Sequence, residues 1–318
     1  MKKLLLIFVI LILTAVFLCF KADKIISEPQ KINGEIIFQI NKGDSLKKIS
    51  ETLAYKGLIS NARYFLWYAK LMKIYPNIKA GEYMIDHDVN FANVAEVLQS
   101  GKFYWRKVTI PEGLTAAQIK EIIDTNEFLQ GETPDFDEGE ILPETYTFMK
   151  GESRANIVKQ GKEALKSTLA EIWNNRAENL PLSTPKELLI LASIIEKETG
   201  VESERDDIAS VFVNRLKIGM KLQTDPTVIY AVTQGKTELG RPLYRKDLDI
   251  DSPYNTYKYN GLPPSPICSA GRDAIYAAAH PADTDYLYFV ASGSGGHNFA
   301  KSLDEHNKNV RNWRQINK

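Results

Sequence analysis

"TPKELLILASIIEKETG", Thr184 to Gly200, is the stretch whose reading decides the fold. Thr184 and Glu187 form a T-x-x-E capping box with Pro185 at the first helical position, and Gly200 is a natural helix stop. Leu188 to Ile195 is apolar except for Ser193. That run is too continuous for a one-sided surface helix, so the spacing predicts a central buried helix. Its last turn nevertheless carries Glu196 and Glu198, flanking Lys197. Near the negative end of the helix dipole, and in apolar surroundings, a carboxyl favours its protonated form, while Lys197 opposes this. A glutamic acid tuned upward in this way is what a general acid requires. Residues two apart on a helix project about 200° apart, so the two glutamates cannot straddle one bond. That argues against their being the facing pair of a retaining glycosidase, whose carboxyls stand roughly 5 Å apart. Periodicity alone chooses neither between the two acids nor between chemistry and a salt-bridged helix end.

Downstream, "SERDDIASVFVNRLKIGM" predicts a structural helix. Ser203 is its expected cap, acids fill its first turn and Arg215 and Lys217 its last, and Ile208, Val211, Phe212 and Leu216 form its buried face. In "LQTDPTVIYAV", Asp225-Pro226 reads first as an N-cap and first-turn pair, whereas Gln223 has no such structural role. "SPYNTYKYNGLPPSP" is a loop carrying Tyr254, Asn255, Tyr257 and Tyr259 among prolines. Tyrosine faces and amides on a rigid loop suit a sugar, and equally suit a loop that is merely rigid. "YLYFVASGSGGHNF" predicts a hairpin with strands at Tyr286–Val290 and around His297–Phe299, which makes His297 an edge-strand residue rather than a base. Ser302-x-x-Glu305 caps a final helix.

Upstream, "EIIFQINKGDSLKKISETLAYKGLIS" predicts an alternating strand (Ile36, Phe38, Ile40), a Gly43-Asp44-Ser45 turn and a helix with Leu46, Ile49 and Leu53 on one face. The pattern returns in "KVTIPEGLTAAQIKEII", with Thr115 as the cap, and more weakly in "YMIDHDVNFANVAEVLQSGK". The irregular period indicates small βα modules rather than a solenoid. These either pack only, or bind carbohydrate.

At the N-terminus, Lys2 and Lys3 precede "LLLIFVILILTAVFLCF", in which Thr14 is the only clearly polar side chain. As a helix this run reaches roughly 25–30 Å, about the thickness of a bilayer core. No small-x-small cleavage site follows Phe20, so an uncleaved anchor with its N-terminus inside is expected over a signal peptide. Forty basic residues balance forty acidic ones, and no basic run with interleaved aromatics supplies a local nucleic-acid surface. With only Cys19 and Cys268 there is no disulfide framework. His87, His280, His297 and His306 lack zinc-ligand spacing, so neither a metal nor another cofactor is expected.

The segments "ASIIEKETGVESERDDIASVFVNRLKIGMKLQTDPTVIYAV", "SPYNTYKYNGLPPSPI" and "AAAHPADTDYLYFVASGSGGHNF" closely resemble the MltG (YceG-like) family of endolytic murein transglycosylases. The likeness runs over about residues 35 to 315; "ILPETYTF" resembles the segment leading into the family's catalytic domain, and the βα modules resemble its LysM-like region. The resemblance implies an α+β chain: residues 1–3 cytoplasmic, 4–22 a single transmembrane helix, 23–34 a linker, and 35–129 the LysM-like βα module region. Residues 130–150 connect to a mixed α/β catalytic domain at 151–318, with a central buried helix and a C-terminal hairpin. It implies a bacterial (inner) membrane lyase, its catalytic domain extracytoplasmic, trimming or terminating nascent peptidoglycan glycan strands, with peptidoglycan synthases as family-level partners. Such enzymes cut the β-1,4 bond between N-acetylmuramic acid and N-acetylglucosamine without water, leaving 1,6-anhydro ends. One glutamic acid serves as acid and then base, so opposed glutamates are no obstacle. By analogy with the Glu-Ser/Thr signature of lytic transglycosylases the acid is expected to be Glu198, followed by Thr199, with Glu196 supporting. Gln223, Asp225, Tyr254, Asn255 and Tyr257 are the expected substrate-binding or supporting residues. Two rivals stand beside this reading: a water-using muramidase with Asp225 as partner carboxylate, and a non-catalytic wall-binding scaffold.

Overall fold

The computed structural model describes residues 2–198 and 200–316, with side chains described from residue 7 onward; Thr199 lies outside the described residues. The chain forms two compact units, Met1–Arg106 with Thr147–Lys150, and Lys107–Tyr146 with Gly151–Lys318.

The first unit contains α1 (Lys2–Ser27), β1 (Ile36–Ile40), α2 (Leu46–Tyr55), α3 (Ala62–Leu71), β2 (Gly81–Ile85) and α4 (Phe91–Ser100). β1 and β2 pair antiparallel, Ile36 opposite Ile85 and Ile40 opposite Gly81. The alternation expected of β1 is realised, with Phe38 and Ile40 buried and Gln39 exposed. Those side chains meet Leu53 of α2, Phe65 of α3 and Phe91 of α4 in one core. Ser45 caps α2 by accepting the Lys48 N–H, as its turn sequence predicts. Glu82, nearly buried, takes a two-pronged contact from Arg106, whose Nε and Nη2 lie 2.7 and 3.0 Å from its two oxygens. The C-terminal end of α1 lays Ile25 and Ile26 on this core, while its apolar side chains from Ile7 to Phe20 are exposed. Among the described residues, no helix is long and apolar enough to cross a membrane.

The remaining elements are β3 (Arg106–Thr109), α5 (Ala116–Asp124), β4 (Thr145–Phe148), α6 (Arg154–Asn174), α7 (Pro185–Glu198), α8 (Arg205–Lys217), α9 (Asp225–Thr233), α10 (Arg272–Ala279), β5 (Tyr288–Ala291), β6 (His297–Ala300) and α11 (Leu303–Ile316). α5 begins as the sequence predicts, with Thr115 and Gln118 forming a reciprocal capping box.

α7 is the central buried helix of the second unit. Every residue from Leu188 to Ile195 is buried, and α6, α8, α9 and α10 pack around it. α10 approaches closely because its facing residues, Ala274, Ala277 and Ala278, are small and fully buried. Ser193, the one polar residue in the run, is accommodated by giving its hydroxyl to the Ile190 carbonyl and accepting the Ile267 N–H at 3.1 Å. The C-terminal hairpin closes over α8, with Phe289 edge-on to Phe212 at 5.9 Å.

Two local expectations are corrected. Ser203 does not cap α8: residues 202–204 form a tight 3-10 turn, and Glu204 occupies the cap position with no side-chain cap bond. Its carboxylate is spent instead on His297, accepting the backbone N–H at 2.9 Å and facing Nδ1 at 2.7 Å. Asp225 likewise does not cap α9. The cap position falls on Thr224, and Asp225 is the first residue of the helix.

Candidate active site

The three charged residues of the last turn of α7 diverge, as the 100° step of a helix requires. Glu196 turns toward α10 and accepts the Gly271 N–H at 3.0 Å, which supplies the α10 N-terminus with a carboxylate. The Glu112 carboxylate lies over Gly271, in the space that a Cβ there would take. Burial raises the pKa of Glu196, and the nearby Glu112 charge adds to that against the Gly271 hydrogen bond. Its oxygen is committed to holding a helix.

Glu198 points the other way, into a cavity of about 420 Å³ shared with Arg215, Gln223, Asp225, Tyr257 and Tyr288 among others. The hydroxyl of Thr224 donates to its Oε1. Burial is the main reason its pKa is raised, and Asp225 adds to the rise; the Thr224 bond and the charges of His297 and Arg215 act against it. A half-buried carboxyl in a cleft, kept protonated above the ordinary carboxylate range, is positioned to donate a proton and then retrieve one.

The cavity walls come from segments distant in sequence: the end of α7, Arg215 of α8, residues 222–225, the tyrosine-rich loop, β5 and α11. Residues 223–227 dock on the tyrosine-rich loop through Thr256, which takes the Gln223 N–H on its carbonyl and the Thr224 N–H on its hydroxyl at 3.2 and 3.1 Å. The Thr227 and Thr256 hydroxyls share a 2.8 Å bond. These bonds fix the backbone of Thr224, whose hydroxyl then meets Glu198. Gln223 pays for its place in backbone strain, with φ at +49°, a region that costs a non-glycine residue about 1 kcal/mol or more. Its side chain opens into the cavity.

Of the loop residues singled out by sequence, Tyr257 reaches the cavity and donates its hydroxyl to Asp225 Oδ1 at 2.6 Å. Burial and the acceptor carboxylate raise the Tyr257 pKa, so the phenol stays a donor. Asn255 is fully buried, and its amide is engaged within the loop. Tyr254 faces elsewhere, bonding Ser265 Oγ at 2.5 Å and packing on Tyr230 at 4.8 Å between ring centres. The structure therefore gathers Glu198, Gln223, Asp225 and Tyr257, places Asn255 behind them, and puts Glu196 and Tyr254 outside the cavity.

Three contributors were not singled out as site residues by the sequence reading. Arg215, expected as an ordinary positive charge at the end of α8, is only 8% exposed. It donates Nε to the Leu287 carbonyl at 2.7 Å and Nη1 to the Leu222 carbonyl at 2.5 Å, and lies over the Tyr288 ring. It thus ties the hairpin to the segment that carries Thr224. His306 stacks on Tyr288 and lines the same cavity. Thr224 was hidden beside the Asp-Pro pair. No local pattern marks any of them, because each has a partner in another element, from 18 residues away for His306 to 72 for Arg215.

A further carboxylate lies in the stretch 130–141. Glu138 accepts the Ala116 N–H at 2.7 Å at the start of α5 and bonds the Tyr230 hydroxyl. Burial is the largest influence and raises its pKa to about 7. Because the folded state holds this proton more tightly than the unfolded chain, stability falls as pH rises from 4.5 to about 7, by roughly 3 kcal/mol at most, and is flat above. Glu138→Gln keeps the acceptor and removes the charge. It is expected to be more stable than the parent at pH 8 and no more stable at pH 4, as urea unfolding at the two pH values will measure.

The YceG-like family model matches residues 38–312. The endolytic murein transglycosylase of Bacillus subtilis (strain 168) is 35% identical over 323 residues, covering 91% of this chain and 88% of that protein. The endolytic murein transglycosylase of Streptococcus pneumoniae serotype 2 (strain D39 / NCTC 7466) is 31% identical over 319 residues, covering 85% of this chain and 57% of the pneumococcal protein. In structure, the chain is similar to a YceG-like protein of Listeria monocytogenes, with a TM-score of 0.55 and 36% identity over 86% of this chain and 98% of that one. A match spanning the helix of Glu198, the Thr224 segment, the tyrosine-rich loop and the hairpin covers every wall of the cavity. The chain belongs to the YceG-like family.

Proposed function

We propose that the chain is a peptidoglycan lytic transglycosylase with Glu198 as its single acid–base residue. The observation that carries this reading is one half-buried glutamic acid, its pKa raised, held by Thr224 in a polar cavity. In the proposed reaction the Glu198 proton passes to the glycosidic oxygen as the bond to muramic C1 breaks. The resulting carboxylate takes the proton of the muramic 6-hydroxyl, whose oxygen closes on C1. No water is consumed, the 1,6-anhydro end forms, and Glu198 is protonated again. The intramolecular nucleophile makes a second carboxylate unnecessary and is favoured entropically over bulk water. Tyr257 and Gln223 are the groups we assign to holding the sugar.

A second reading is favoured by one contact: Asp225 opens into the same cavity, oriented by Tyr257. A muramidase would use such a partner carboxylate to activate water.

We further assign α1 as a membrane anchor, with the enzyme unit outside the cell membrane, trimming nascent strands beside synthases. Supporting this, the side chains from Ile7 to Phe20 are exposed and, Thr14 apart, apolar, and the sequence extends the run upstream through Leu4 to Leu6. The first unit, with its strand, two helices and returning strand, is assigned as a LysM-like glycan-holding module.

The test is mass spectrometry of sacculi digested by the full-length chain in detergent, alongside Glu198→Gln. Anhydro-muramyl ends from the parent alone are expected. Reducing ends would move the assignment to the muramidase, and no product from either protein would leave a wall-binding scaffold.

A further inference from the structure

Lys197, between the two glutamates, lies beside Glu196 over Gly113 and does not line the Glu198 cavity. It lines a second cavity of about 410 Å³ with Gln118, Ile229, Tyr230, Glu238 and Leu239, at the lower end of the volumes that ligand sites take. Consecutive residues on two elements line the two cavities: Glu198 and Lys197 on α7, Asp225 and Pro226 on α9. The Lys197 ammonium donates to the Gly113 carbonyl at 3.1 Å, and among the described residues it has no carboxylate partner. Glu238, across the same lining, is exposed and likewise has no cationic partner among the described residues. One unpaired cation and one unpaired anion, in a lining that also includes the apolar Ile229 and Leu239, make a poor site for a neutral sugar. They suit a short peptide that carries a carboxylate, an amine and small aliphatic groups.

We infer that this cavity receives the peptide branch of a muramyl residue, with Lys197 meeting a peptide carboxylate. The inference rests on the transglycosylase reading of the Glu198 cavity. In that reading the reacting sugar is the muramic one, whose lactyl ether at O3 carries the peptide away from the glycan axis. A muramic ring poised at Glu198 must send its branch over an adjoining wall of the cleft. The wall formed by α7 and the start of α9 leads to Lys197. Binding energy gained there, remote from the reacting atoms, orients C1 toward Glu198, so it acts on kcat/KM through positioning.

The experiment compares the full-length chain on two substrates: glycan strands with intact peptide stems, and the same strands stripped by an amidase to the free lactyl acid. The parent is expected to cut stem-bearing strands with about tenfold higher kcat/KM, the effect of one good charge-assisted contact. Lys197→Ala should erase that difference, and Lys197→Arg, which keeps the charge, should retain it. Leu239→Trp, which fills the cavity and leaves the Lys197 charge in place, should also erase it; melting curves will check that each variant is folded. Equal cutting of both substrates by the parent, or an equal loss on both in Lys197→Ala, overturns the inference and leaves the transglycosylase reading intact. Failure of the parent to release anhydro ends from either substrate overturns both.

Discussion

Glu198→Gln is expected to lower turnover on peptidoglycan at least about a thousandfold, because the change removes both the proton given to the leaving oxygen and the base that later recovers one. Folding should survive. The amide is the same size, and its oxygen still accepts the Thr224 hydroxyl. The sign of the charge term points the same way. A carboxyl whose pKa is raised on folding costs stability once pH exceeds its unfolded value, so a neutral amide is no less stable than the parent at pH 8. The parent's activity should persist above the ordinary carboxylate range and fall on the alkaline side as Glu198 loses its proton. Asp225 is one cause of the raised pKa, so Asp225→Asn should move that alkaline limb to lower pH. Glu196→Gln is the control: it loses only the charge facing Gly271 and should keep measurable activity. Complete and equal loss in Glu196→Gln and Glu198→Gln would falsify the assignment of separate roles, and an unchanged alkaline limb in Asp225→Asn would detach that limb from Glu198.

The second large effect is on stability. Asn255→Ala is expected to cost about 2–4 kcal/mol, because it leaves three part-buried backbone groups without their partner and empties a fully buried position. The Asn255 amide nitrogen donates to the carbonyls of Leu248 and Ile250 at 2.9 and 2.8 Å, and its oxygen accepts the Tyr257 N–H at 3.0 Å. For a unit of this size that corresponds to a melting temperature lower by roughly 5–15 °C. Activity should fall as well, since Tyr257 loses the contact that sets its backbone and with it the hold on Asp225. Asn255→Asp keeps the acceptor but turns an anion toward two carbonyls, and should be no better. Differential scanning calorimetry decides the matter. An unchanged melting temperature together with a raised KM would make Asn255 a direct substrate contact, which its complete burial argues against.

The two residues illustrate what could be read locally. Glu198 was legible because a helix is periodic: a capped apolar run ending in acids announces both a buried helix and the abnormal place of its last turn. The opposite headings of Glu196 and Glu198 followed from the same geometry. Asn255 was legible as a residue of interest but not in its role, since an asparagine in a tyrosine-rich loop can face a sugar or staple the loop. Burial and three hydrogen bonds within the chain settled that it staples.

By itself, then, the sequence determined the elements whose physics is local: the central helix and its stop, the strand–turn–helix modules with caps at Ser45 and Thr115, the C-terminal hairpin, and the absence of a cysteine framework. It also narrowed the proposed acid to two candidates, with the resemblance pointing to Glu198. Only the tertiary structure decided how that acid is served. Thr224 orients Glu198 because Thr256, more than thirty residues later, holds Thr224 in place. Arg215 is buried because the Leu287 and Leu222 carbonyls need a donor, and Tyr257 finds Asp225 across a fold in the chain. A hydrogen bond between residues far apart in sequence leaves no periodicity, spacing or composition to read, and it comes into being only when packing brings its two ends within 3 Å.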